Sequence, residues 1–176
     1  PHFTDRRQRQ MCIRDRSVTE LSQHNISFIS ERLVQEGHAP ERVTYMLMRG
    51  GILPYDTASL DLVILPQVIE HMPDPQVMLN EARRVLAPGG HLLISTRNID
   101  SAYGEMWRTL ESRGQVPNQG PFTPCPAIEV SAWLSSRFDI EEEIGIGTEA
   151  TGDANVLRDE SRFGCRLYAA RCRRDR

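Results

Sequence analysis

Short apolar runs alternate along this chain with longer segments whose apolar residues recur every three or four positions. Residues 18–21 form the first run and predict a short strand. Ser22 follows as a helix cap, and Ile26, Ile29 and Leu33 then fall on one face of a helix running to about Glu36, where Gly37 ends it. Residues 43–48 predict a second strand, 50–59 a turn-rich loop and 60–65 a buried strand. Asp74-Pro75 is a strong helix start, because aspartate caps free amides and proline is tolerated at the first helical position. Met78, Ala82, Val85 and Leu86 line that helix, Pro88-Gly89-Gly90 stops it, and residues 91–96 give the next strand. Ser101 caps a helix expected to turn Tyr103, Met106, Trp107 and Leu110 inward. A proline- and glycine-rich loop, 115–126, leads to a short helix over 127–137. Phe138, Ile140, Ile144 and Ile146 alternate in the following strand. After a polar connection, Phe163, Cys165, Leu167 and Ala169 alternate in a last strand ending at Cys172. Strand–helix alternation predicts an α/β fold with a mostly parallel sheet, and the two final strands, with no helix between them, predict an antiparallel pair.

At 176 residues the chain suits one domain with a proper core. Hydrophobic content of 39% and charged content of 26% are those of a soluble globular protein. No 18-residue apolar run exists, so no membrane span is expected. The arginine-rich start lacks the apolar segment of a signal peptide, which makes a cytoplasmic location the expectation. Cys12, Cys125, Cys165 and Cys172 form no CxxC pair, so neither zinc nor a disulfide framework is predicted. All 21 basic residues are arginine, which reads as genomic base composition. A net charge of −3 does not attract a phosphate backbone, so no nucleic-acid partner is expected. The oligomeric state is not legible.

Residues 1–16 stand apart. Their core, RRQRQMCIRDR at 6–16, has no periodicity and back-translates into a run that resembles a transposase-based sequencing-library adapter. The alternative is a disordered basic arm. The adapter reading sets 1–16 aside as non-native and predicts that the native N-terminus is missing.

The series LPYDTASLDLVILPQVIEHMPDPQVMLNEARRVLAPGGHLLIS, residues 53–95, resembles the central block of class I S-adenosylmethionine-dependent methyltransferases. Each piece is weak alone; the order is specific. The resemblance implies a Rossmann-like sheet, mostly parallel with its last strand antiparallel. Residues 18–21, 43–48, 60–65, 91–96, 138–146 and 163–172 would be the family's strands two to seven. Residues 17–176 would then be a methyltransferase domain whose first strand and glycine-rich turn precede Ser17.

Ligands of open α/β sheets sit at the carboxyl ends of the strands. Glu20 and Leu21 lie at such an end, and the resemblance implies that Glu20 accepts both ribose hydroxyls of S-adenosyl-L-methionine. Gly51-Ile52 falls where the family often has Asp-Ala at the adenine; Gly51 lacks the carboxylate, while Ile52 and Leu53 can pack on the purine. Leu65, Pro66 and Gln67 would border the cofactor after the fourth strand. Gln67, Glu70 and His71 fall at i, i+3 and i+4, which one helical turn would gather. Related quinone-ring O-methyltransferases hold a divalent cation with two glutamates and a histidine at this spacing. Gln67 replaces the first, so no metal is expected. His71 is the candidate general base, the alternative being that Glu70 and His71 tie their loop to neighbouring backbone. Arg97 and Asn98 are substrate candidates. Loops 115–126 and 147–162 would build the acceptor pocket, Trp107 and Trp133 the core, and Glu141-Glu142-Glu143 a solvated strand edge.

The resemblance therefore implies in-line methyl transfer from the sulfonium to a small-molecule acceptor, for which holding donor and acceptor in a dry pocket matters more than acid–base chemistry. It assigns that activity to the parent protein rather than to this length of chain. Two other readings stay open: a non-catalytic methyltransferase-like scaffold module, and a nicotinamide-dependent oxidoreductase, which shares the ribose carboxylate.

Overall fold

The computed structural model describes residues 16–38, 43–115, 122–147, 156–158 and 160–175. The expected adapter segment up to residue 15, half of loop 115–126 and most of loop 147–162 lie outside them. The chain divides into two compact units, Pro1–Pro54 and Tyr55–Arg176.

In the first unit, strand β1 (Arg16–Glu20) pairs in parallel with β2 (Val43–Leu47), and helix α1 (Gln23–Gln35) makes the crossover that a parallel pair requires. The Ser22 hydroxyl accepts the His24 amide at 3.2 Å as the expected cap. Ile26 is buried, with Ile29 and Leu33 half-buried on the same face. β1 ends one residue earlier than predicted: Glu20 pairs with Leu47, the last residue of β2, and Leu21 turns into solvent, 64% exposed.

In the second unit, β3 (Leu60–Pro66) leads through a 3-10 turn (Ile69–His71) into α2 (Pro75–Val85) and then β4 (Leu86–Arg97). Helices α3 (Ala102–Ser112) and α4 (Ala127–Ser135) follow, then β5 (Asp139–Ile146) and a two-residue β6 (Val156–Leu157). A second 3-10 turn (Glu160–Gly164) precedes β7 (Leu167–Arg173). The sheet order is β3-β4-β7-β5-β6; β3 and β4 are parallel, and β7 runs antiparallel to both its neighbours. The expected antiparallel closing strand is therefore present. Asp74 caps α2 through the Gln76 amide at 2.9 Å, with Pro75 as its first residue. Met78, Leu79, Ala82 and Val85 bury one face of α2, and Val130 and Leu134 one face of α4. The side of the sheet carrying Val63, Leu65, Leu92, Ile94, Tyr168 and Cys172 is buried, whereas Leu62 and Ile64 on the other side stay about half exposed.

Four expectations are corrected. Leu86 is buried, but it opens β4 rather than closing α2, and β4 runs unbroken through Pro88-Gly89-Gly90. Leu86 already pairs with Leu60, and the extra residues are absorbed by a register shift before Leu62. The last strand begins at Leu167, because Glu160–Gly164 coils into a 3-10 turn; Phe163 and Cys165 precede the strand, and its buried face is Tyr168, Ala170 and Cys172, the opposite parity from that expected. Met106 on α3 points outward, 46% exposed, while Tyr103, Trp107 and Leu110 are half-buried.

The acidic run on β5 is the fourth. Glu141 and Glu142 do face solvent, where they meet Arg171 and Arg158 in exposed ion pairs worth little. Glu143 does not. A register shift between Ile140 and Glu142 places Glu143 opposite Ala170, on the helix-covered side. There it accepts the Ser131 hydroxyl at 2.5 Å, the buried Tyr168 hydroxyl, and the Arg162 guanidinium at 3.1 Å. Burial by itself would raise its pKa, but these three donors and the Arg162 charge outweigh it and hold the carboxyl below its ordinary range. Gly145 lets the second 3-10 turn approach: a Cβ there would stand 2.6 Å from the Arg162 backbone.

Candidate functional site

At the carboxyl end of β1, Glu20 is half-buried. One of its oxygens, Oε2, accepts the Leu21 amide and the Asn25 side-chain amide, both at 3.2 Å. Oε1 takes no hydrogen bond among the described residues, so one acceptor oxygen is held by the first turn of α1 and the other is left available. After β2, Arg49 and Ile52 form an isolated bridge around Gly50-Gly51. Gly51 is buried with φ +79°, a conformation that side chains rarely adopt, which accounts for glycine where the family often has aspartate. Ile52 is 62% exposed and Leu53 is buried, so of this pair only Ile52 offers a side-chain surface to a ligand.

At the carboxyl end of β3, Leu65 points into the core, Pro66 is exposed, and Gln67 leaves the strand with φ +52° while its amide donates to the Ser95 carbonyl at 2.8 Å. That turn corrects the expected gathering: Gln67 lies outside the short 3-10 turn that carries Glu70 and His71, so the three do not share one helical turn. Glu70 is fully buried. It accepts the Thr96 hydroxyl at 3.0 Å and the Arg97 amide at 3.2 Å, and its own carbonyl accepts the Thr123 amide at 2.7 Å. A glutamate thus ties the loop after β3 to the end of β4, as the structural alternative anticipated. The His71 ring packs edge-on to Phe122, centroids 6.3 Å apart, with Nδ1 buried and unpaired among the described residues. No group of metal-ligating side chains occurs among the described residues.

Beyond β4, the two substrate candidates part company. Asn98 is fully buried and uses its whole side chain on the scaffold: Nδ2 donates to the Phe163 and Cys165 carbonyls at 2.6 and 3.1 Å, and Oδ1 accepts the Asp100 and Ala127 amides at 3.3 and 3.1 Å. No donor or acceptor remains for a substrate. Arg97 is half-buried, with its guanidinium 4.4 Å above the Trp107 ring. Trp107 therefore belongs to this end of the sheet rather than to the core. Tyr103 and Arg166 join it there, with the Arg166 guanidinium 5.8 Å from the Tyr103 ring. Sequence reading passed over Arg166; the i, i+4 spacing of Tyr103 and Trp107 was the available signal, and it was read as core packing.

A depression of about 420 Å³ at Gly89, His91, Asp139 and Arg173 lies at the amino half of β4, away from the strand ends where ligands of such sheets bind. No described helix is long and apolar enough to cross a membrane.

Comparison with known proteins agrees with this layout. The family described as "Methyltransferase domain" matches residues 9–94. A probable S-adenosylmethionine-dependent methyltransferase of Mycolicibacterium smegmatis is 35% identical over 97 residues, covering 53% of this chain and 34% of that protein. A ubiquinone biosynthesis O-methyltransferase of Xanthomonas oryzae is 43% identical over 123 residues, covering 65% of this chain and 50% of that one. The chain thus spans between about a third and a half of these curated relatives. A solved methyltransferase of Thermotoga maritima, described as a possible histamine N-methyltransferase, superposes with a TM-score of 0.66 at 17% identity, over 89% of this chain and 72% of that one. Ordered motifs and relatives converge on the S-adenosylmethionine-dependent methyltransferases, whose domain this chain resembles over residues 9–94, and the solved structure shares its Rossmann-like fold.

Proposed function

We propose that the protein transfers the methyl group of S-adenosyl-L-methionine to a small-molecule acceptor. The observation that carries this reading is Glu20: a half-buried carboxylate at the carboxyl end of a parallel strand, with one oxygen anchored by α1 and the other open. A carboxylate oxygen left open and held still in this way can accept from a ribose hydroxyl. Leu21 and Ile52 supply exposed apolar surface suited to the nucleoside. Gly51 and Leu53 contribute backbone beside it. In the second unit, Leu65 and Pro66 end β3 and Gln67 follows on a loop that Glu70 fixes.

S-adenosyl-L-methionine supplies the electrophilic methyl. The chain's own part is positioning: hold the nucleoside, fix the loop after β3, and orient the acceptor through Arg97. His71 fills the base role only for an acceptor whose proton must leave. The relatives whose names specify an O-methyltransferase support a small molecule as acceptor. Of the loops expected to build the acceptor pocket, residues 116–121, 148–155 and 159 lie outside the described residues.

Isothermal titration tests the reading against its oxidoreductase rival. S-adenosyl-L-homocysteine is expected to bind saturably and NADH not to bind. NADH binding without S-adenosyl-L-homocysteine binding would overturn it.

A further inference from the structure

Helix α3 presents Tyr103 and Trp107 one turn apart, with their rings edge to face at 6.3 Å. Each ring is covered by an arginine from the sheet. Arg97, the last residue of β4, covers Trp107, and Arg166, immediately before β7, covers Tyr103. β4 and β7 are paired at this point, Arg97 opposite Leu167, so the two arginines rise from adjoining strand ends. All four side chains are half-buried, so each keeps some surface open above the buried donors.

Neither guanidinium has a carboxylate partner among the described residues. Three N–H donors of the group, Arg97 Nη1, Arg166 Nε and Trp107 Nε1, are buried without a hydrogen-bond partner. Only six buried side-chain polar atoms among the described residues lack one, and half of them fall here. Elsewhere in this unit the arginines that approach the sheet are matched, as Arg162 is by Glu143 and Arg171 by Glu141. Buried donors without acceptors are costly, and two uncompensated cations more so. An anion with in-plane oxygens relieves both. A carboxylate fits the guanidinium fork, and a flat body suits rings that are already covered by planar groups.

We infer that Arg97, Arg166, Tyr103 and Trp107 form a recognition subsite for a planar acceptor bearing a carboxylate. The word "acceptor" rests on the methyltransferase reading; the anion preference rests on the unpaired donors alone. Arg97 and Arg166 take the carboxylate oxygens, Trp107 Nε1 adds a third donor, and the flat body lies against the open surface of the aromatic pair. The subsite sets which molecule is methylated and leaves methyl transfer itself to the cofactor's geometry.

The chain has two tryptophans, so in a Trp133→Phe background Trp107 is the sole indole reporter. Sodium benzoate and benzamide, alike in shape and different in charge, are titrated against its emission. Benzoate is expected to give a saturable change, with benzamide about tenfold weaker or more, the usual effect of one charge-assisted bond. Arg97→Gln and Arg166→Gln are expected to weaken benzoate about tenfold while leaving benzamide and the thermal midpoint close to the parent. Equal binding of benzamide, or no benzoate response in the folded parent, would overturn the inference. Titration of S-adenosyl-L-homocysteine into the same sample separates the two claims. Its failure with benzoate binding intact sinks the methyltransferase reading and keeps the subsite; the converse result sinks the subsite alone.

Discussion

Glu70 accepts the hydroxyl of Thr96 at 3.0 Å, both residues being fully buried, and so fastens the loop after β3 to the end of β4. The same carboxylate takes the Arg97 amide at 3.2 Å. The backbone at Arg97 is therefore positioned by a fully buried glutamate.

Replacing that glutamate separates acceptance from size. Glu70→Gln keeps the volume but turns one of two accepting oxygens into a donor facing Thr96 or the Arg97 amide. The expected loss is about 1–3 kcal/mol, read as a lower urea midpoint. Thr96→Val removes only the donor and is expected to lose less, about 1 kcal/mol. An unchanged midpoint for Glu70→Gln would show that the tie carries no weight.

Glu143 gives the fold a pH dependence of known sign. Its folded-state pKa lies below the unfolded one, so the unfolded chain binds the proton more readily. The associated stability is present above the unfolded carboxyl range and is lost as pH falls through the folded value. Glu143→Gln is therefore expected to destabilise at pH 7, with the gap to the parent closing as the pH is lowered through the carboxylate range. Denaturant midpoints measured against pH check it; a gap that widens in acid would contradict it.

Three cysteines serve as an internal reporter. Cys125, Cys165 and Cys172 are buried. Burial, reinforced by nearby carboxylates, pushes Cys125 and Cys172 up to about 12, so almost no thiolate exists near pH 8. In a Cys12→Ser background, all three are expected to resist a thiol-disulfide reagent in the native protein and to label together on unfolding. Rapid native labelling of Cys125 or Cys172 would contradict this burial.

Much of the fold was legible because its signals are local. Ser22 and Asp74-Pro75 announce their helices by capping chemistry, and apolar runs mark β2, β3 and β4. The misreadings share a cause: a pairing partner overrode the local pattern. Leu86 looks helical from its spacing to Val85 and Ala82, yet Leu60 claims it for the sheet. Phe163 and Cys165 alternate with Leu167, but the turn that Gly145 admits ends before the strand starts. Glu143 sits in an acidic triplet that reads as solvent-facing until the shift in β5 turns it inward. At the site, sequence reading singled out Glu20, Glu70 and Arg97. It assigned Asn98 to substrate although its side chain is spent on the scaffold, and it missed Arg166, whose meaning depends on the β4–β7 pairing.

The most direct test concerns the Glu20 carboxylate and the ribose. Binding of S-adenosyl-L-homocysteine and of its 2′-deoxy analogue is measured by calorimetry on the parent and on Glu20→Ala. In the parent, removing the hydroxyl is expected to weaken binding about tenfold or more, as loss of a charge-assisted bond does. In Glu20→Ala the two ligands are expected to bind alike, since the acceptor is already gone. If the variant still discriminates between them as strongly as the parent does, Glu20 does not hold the ribose and the account of the cofactor site fails.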